Sequence, residues 1–180
     1  MSTSFKSAMD RLKANIRDIP DFPKPGIVFK DLTPVLADAA LFHGVITALA
    51  ARVATLDVQT VVGIEARGFI FGAALAYTLR RGFIPVRKPS KLPRATHREK
   101  YGLEYGQDAL ELHIDAVAKG ERVLVVDDVL ATGGTALAAK TLVERSGATV
   151  AAFAFVVELG FLKGAERLGS TPLCALIRYD

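Results

Sequence analysis

A length of 180 residues suits one domain, 1–180, and excludes two full ones, while 51% apolar and 23% charged residues exclude a disordered chain. The longest clean apolar run, Val150 to Val157, falls short of the roughly 18 residues of a spanning helix, and the single cysteine, Cys174, excludes an internal disulfide framework and a Cys-based zinc site. The net charge of +4 is local: eight bases against one acid lie between Arg80 and Lys100 and the remainder carries −3, which fits a small polyanionic ligand better than nucleic acid.

Phe5, Met9, Leu12 and Ile16 recur at helical spacing and predict an amphipathic first helix. Met1 to Lys6 opens no apolar stretch of the signal-peptide kind, so a cytoplasmic protein without membrane association is expected. Asp21 to Gly26, with two prolines and a glycine, reads as a stiff loop, followed by a short extended piece at Ile27 to Phe29. Asp38 is placed to cap a helix running to about Leu56. Strands are predicted at Thr60–Ile64, Phe83–Arg87, Val123–Val126, Val150–Val157 and Leu173–Ile177, the second weakened by Pro85. Helices are predicted at Phe69–Arg81, opened by Gly68, and at Thr135–Arg145. Apolar strands without polar alternation are buried on both faces, so the fold class is α/β, a doubly wound parallel sheet.

One stretch departs from that pattern. Tyr101, Leu103 and Tyr105, then Leu110, Leu112 and Ile114, alternate with polar or glycine residues around Gly106-Gln107-Asp108, which predicts an inserted antiparallel hairpin turning there. With the basic residues that precede it, it forms an arm over 88–114, and a long basic connection inside a domain is commonly a lid. His43, His97 and His113 lie too far apart for a local metal motif.

The chemistry concentrates in Val123-Leu-Val-Val-Asp-Asp-Val-Leu-Ala-Thr-Gly-Gly-Thr135. A buried strand brings Asp127 and Asp128 to its C-terminal end, where open α/β sheets bind ligands. Ala131, Thr132, Gly133, Gly134 and Thr135 then turn into a helix whose first N–H groups, hydroxyls and dipole suit a monophosphate. A branched side chain at Gly134 is expected to fill the anion's space and leave the fold intact. Two carboxylates beside a phosphate cradle make sense when the phosphate carries a hydroxylated sugar or a divalent metal, and a ribose 5-phosphate meets both demands. Neither a P-loop nor a GxGxxG is present.

These thirteen residues resemble the 5-phosphoribosyl pyrophosphate (PRPP) motif of the type I phosphoribosyltransferases. The segments Pro20 to Asp31, Glu65-Ala-Arg-Gly-Phe69, Arg87-Lys-Pro-Ser-Lys-Leu-Pro93, Leu103-Glu-Tyr-Gly106 and Val157-Glu-Leu159 extend the resemblance, in order along the chain, to the adenine phosphoribosyltransferase family. The resemblance implies a type I phosphoribosyltransferase-like fold with an N-terminal helix and hood over 1–34 and the flexible hairpin arm. It implies transfer of the 5-phosphoribosyl group of PRPP to adenine, giving AMP and pyrophosphate, with Mg²⁺ bound alongside PRPP and met by Asp127 through water. Arg67 and Glu104 take catalytic roles, Glu104 as acid/base at the purine. Ala66, Arg67, Arg87, Lys88 and Lys91 meet pyrophosphate, and Val28, Phe29, Lys30 and Leu159 surround adenine. A homodimer follows from the family alone.

The base preference has its own physical argument. Adenine presents an amino donor where 6-oxopurines present an acceptor, and members that take 6-oxopurines place a lysine on the strand after the PRPP helix. Val150 to Val157 has none. Two alternatives stay open, a PRPP-binding transcriptional regulator and a phosphoribosyltransferase for another purine.

Overall fold

The apolar runs become five parallel strands, β3 (Thr60–Ile64), β4 (Gly82–Val86), β7 (Arg122–Leu130), β8 (Thr149–Leu159) and β9 (Leu173–Tyr179), in the spatial order β4-β3-β7-β8-β9. The structure, a computed structural model, describes residues 3–103 and 106–180, with backbone alone for 3–6, 103, 106 and 107. Two compact units divide the chain, residues 1–48 and 49–180.

In the larger unit, β3 is buried along its whole length and residues Val123 to Val126 of β7 are fully buried, as strands without polar alternation must be. Pro85 is tolerated because β4 is an edge strand, with no ladder partner lost on its open side. Helix α4 (Arg67–Leu79) covers one face, where Gly72 lies against Gly63 and Val126. Helix α5 (Gly134–Arg145) covers the other, joining Val62, Ile64, Val123, Val125, Phe153 and Phe155 through Ala139, Leu142 and Val143. Adjacent residues of one strand thus face opposite helices, and the doubly wound α/β class is borne out.

The predicted hairpin is present but longer, and its strands take in the residues predicted to turn. β5 (Thr96–Leu103) and β6 (Gly106–His113) pair antiparallel from Thr96↔His113 to Leu103↔Gly106, so Gly106, Gln107 and Asp108 belong to a strand and not to a turn. Residues 96–100 escape an apolar-alternation search because their less exposed positions are polar: His97 and Glu99 alternate with exposed Arg98 and Lys100. Arg145 of α5 holds this strand by donating to Glu99 at 2.6 Å and to the Arg98 carbonyl at 2.9 Å.

In the smaller unit, α1 (Thr3–Ala14) buries Leu12, and β1 (Arg17–Pro20) pairs antiparallel with β2 (Val28–Asp31) across the Asp21–Gly26 loop. Asp21 accepts the Gly26 N–H at 2.7 Å and closes that loop. A short α2 (Thr33–Ala37) follows, and Asp38 accepts the Ala40 and Leu41 N–H groups, capping α3 (Ala39–Val53) as predicted. Among the described residues, no helix is long and apolar enough to cross a membrane.

Candidate active site

The strand order reverses direction between β3 and β7, and the crevice at the C-terminal ends of such a pair is where open α/β sheets take ligands. Beyond Ile64 the chain passes through Glu65 and Ala66 into α4, whose first residue is Arg67. Arg67 is therefore helical. Gly68 makes this entry possible: a Cβ there would lie 2.7 Å from the Val126 carbonyl oxygen and 2.9 Å from Asp127 Oδ1. The first turn of α4 rests on β7 for that reason, and Arg67 Nε donates to Asp128 Oδ2.

Asp128 is buried, at 3% exposure, with Arg67 as its counter-charge. Asp127 is half-buried, and burial together with the neighbouring Asp128 charge pushes its carboxyl well above the usual aspartate range. The three residues singled out for the sugar and leaving group thus meet at one point. Among the described residues no three His, Cys, Asp or Glu side chains gather into a metal cage. A Mg²⁺ ion at this crevice would take one or two carboxylates from the chain and its other ligands from phosphate and water, the ordinary manner for this ion.

The loop from Ala131 to Gly133 joins β7 to α5. Gly133 adopts φ +79°, a left-handed conformation that favours glycine, and no side chain caps the helix that follows. The first N–H groups of α5 are thereby left for an anion. Ala131, Thr132 and Thr135 are half-buried beside them. The expectation for Gly134 is overturned: its Cβ position points 2.9 Å from the Gly102 carbonyl oxygen and 3.6 Å from Tyr101 Cδ2, into the hairpin and not into the anion's space. α5 packs against β5, a contact between segments far apart in sequence.

Glu65 organises the basic segment. Its carboxylate accepts Arg87 Nε at 3.0 Å, Arg87 Nη2 at 3.3 Å and the Lys88 N–H at 2.8 Å. The Arg87 guanidinium holds the Glu65 carboxyl below the usual glutamate range. Arg87 also exchanges backbone hydrogen bonds with Glu111, whose buried carboxylate accepts the Ser90 N–H at 3.0 Å. Lys88 Nζ pairs with Asp108 and donates to Tyr101 Oη at 2.8 Å, so it is held by the hairpin in this structure. Lys91 is exposed.

Val28 and Phe29 lie on β2, Val28 exposed and Phe29 edge-on to Phe22 at 5.2 Å, while Lys30 pairs with Asp18 at 2.6 Å. Leu159 closes β8 in the larger unit. Glu104 lies outside the described residues. Sequence reasoning gave no role to Glu65, Glu111 or the 3₁₀ segment Gly164–Leu168. Glu65 sat visibly beside Arg67, but the others have no local signal, since their partners lie 20 to 35 residues away.

The phosphoribosyl transferase domain model matches residues 33–168. An adenine phosphoribosyltransferase of Anaeromyxobacter sp. (strain Fw109-5) is 61% identical over 96% of this chain and 98% of its own. The crystal structure of adenine phosphoribosyltransferase from Thermoanaerobacter pseudethanolicus superposes with a TM-score of 0.93 at 50% identity, covering 95% of this chain and 99% of that one. The Saccharomyces cerevisiae enzyme, complexed with an iminoaltritol bisphosphate and adenine, matches at TM-score 0.89 and 40% identity over 95% and 99% of the two chains.

Proposed function

The chain belongs to the phosphoribosyl transferase family, and within it to the adenine phosphoribosyltransferases, and from that premise we propose that it transfers the 5-phosphoribosyl group of PRPP to adenine, forming AMP and pyrophosphate. The observation that carries the reading is the meeting of Arg67 with Asp128 where β3 and β7 end, one strand away from the uncapped start of α5.

In this reading N9 of adenine attacks C1 of the ribose as the C1–pyrophosphate oxygen bond breaks, through a state with oxocarbenium character. The backbone of Ala131 to Thr135 and the hydroxyls of Thr132 and Thr135 hold the 5-phosphate. Asp127 and Asp128 accept from the ribose hydroxyls and balance positive charge at C1. Arg67, with the backbone at Ala66, binds the departing pyrophosphate at the start of α4. Arg87 and Lys91 extend that cation field, and Lys88 reaches pyrophosphate by exchanging its Asp108 partner. Mg²⁺, bound with PRPP and met by Asp127, would neutralise phosphate charge.

Glu104 serves as acid/base at the purine, taking the proton that the base gives up as N9 becomes substituted. Val28, Phe29, Lys30 and Leu159 bound the adenine. The chain acts as a single catalytic domain, 1–180, whose arm, 88–114, excludes water from the reacting atoms. A homodimer is supported by Ile70 and Tyr77, exposed by 43% and 88% and two turns apart on one face of α4.

The test is turnover of PRPP with a panel of bases. A site that accepts from an amino group rejects a 6-oxopurine by roughly 10⁴-fold in kcat/KM. Comparable turnover of hypoxanthine or guanine would leave only the broader phosphoribosyltransferase assignment.

A further inference from the structure

The loop Ala131–Gly133 has a back wall, and the wall is the remote 3₁₀ turn Gly164–Leu168. A Cβ on buried Gly164 would strike the Ala131 carbonyl oxygen and lie 2.9 Å from the Gly133 nitrogen and 3.0 Å from the Thr132 carbonyl carbon. Reciprocally, a Cβ on Gly133 would lie 2.5 Å from the Gly164 carbonyl oxygen. The two backbones touch with no side chain between them. Arg167 Nη1 donates to the Thr132 carbonyl at 3.4 Å and lies 3.6 Å from the Cβ position of Gly134. The turn is itself fixed, since Lys140 of α5 donates to the Leu168 carbonyl at 3.3 Å and to Thr171 Oγ1 at 2.8 Å, and Leu168 is in the core.

A peptide unit is planar and trans, so a carbonyl and the following N–H point in opposite directions. With the carbonyls of Ala131 and Thr132 turned toward the wall, the N–H groups of Thr132 and Gly133 face away from it, toward the open side of the loop. We infer that Gly164 and Arg167 are positioning residues for the anion cradle: Gly164 lets the wall approach closely enough to fix the carbonyls, and Arg167 adds a bond to one of them and a positive charge at the cradle's edge. The inference rests on the reading that residues 131–135 hold the 5-phosphate.

The experiment compares Gly164→Ala, Arg167→Ala, Arg167→Lys and, as a control within the cradle, Thr135→Val. Affinities for AMP and for adenine, which lacks the phosphate, are measured by calorimetry alongside thermal unfolding. Gly164→Ala is expected to weaken AMP binding by roughly 10- to 100-fold, the scale of an ångström of misplacement, and to leave adenine binding unchanged. Arg167→Ala, an exposed change that keeps the melting temperature, is expected to weaken AMP binding by about two- to fivefold at low salt. That loss shrinks at high salt and is largely restored in Arg167→Lys, behaviour a purely structural role would not produce. If Thr135→Val weakens AMP binding but folded Gly164→Ala and Arg167→Ala do not, the wall is overturned and the cradle stands. If Thr135→Val has no effect, the cradle reading itself fails. If Gly164→Ala does not fold, Arg167→Ala and its salt dependence decide.

Discussion

Replacing Gly134 with alanine tests how the phosphate loop sits against the hairpin. The new methyl would lie 2.9 Å from the Gly102 carbonyl oxygen, a backbone atom inside the β5–β6 ladder that cannot swing aside. Ordinary C···O contacts start near ~3.3 Å, so the overlap is about 0.4 Å. Forcing extra volume into packed structure costs about 1–3 kcal/mol. Alanine recovers about 0.5–1 kcal/mol by restricting the unfolded chain and favouring the helix. Taking the middle of each range, the net loss is about 1 kcal/mol, which for a chain of this size lowers Tm by roughly 2–4 °C. Gly102→Ala is the matched control, because its Cβ would meet nothing within 4 Å. Differential scanning calorimetry on both variants reads the difference. A Gly134→Ala protein as stable as the parent, or more so, would refute the packing of α5 on β5 and restore the anion-facing view of this glycine.

Arg67→Lys keeps a charge but loses the Nε hydrogen bond to Asp128 and should lower kcat by about 10²-fold with AMP affinity little changed; an unaltered kcat would remove Arg67 from the leaving-group site. Trypsin should cut first at exposed Lys91 and Arg94, and Mg²⁺ with PRPP should slow it; equal cleavage with and without ligand would make the segment a plain solvated loop. Because Arg87 lowers the Glu65 carboxyl below its unfolded value, the stability this pair contributes is complete above the usual glutamate range and disappears as pH falls through the lowered value. Urea midpoints followed from neutrality to about pH 3 should therefore fall less in Glu65→Gln than in the parent, and parallel curves would contradict the ion pair.

The five strands of the parallel sheet, the two helices that cover it, the cap at Asp38 and the acid pair near the end of β7 were all determined locally by the sequence. Apolar runs with no polar alternation have one solution, burial on both faces, and the acidic and glycine residues that follow such a run have one place to be, the end of the strand. Arg67 was readable for the same reason, sitting one turn past β3. Tertiary structure alone decided the rest. The first half of β5 turns polar residues inward because Arg145 waits there for Glu99, so apolar periodicity misses it. The Cβ direction of Gly134 points at Gly102, Lys88 is held by Asp108, and Gly164 stands behind Gly133, because each depends on which distant backbone arrives beside it. Hydrophobic pattern reports how a residue meets water; it carries no information about which of two buried or polar surfaces a side chain will meet once the chain has closed on itself.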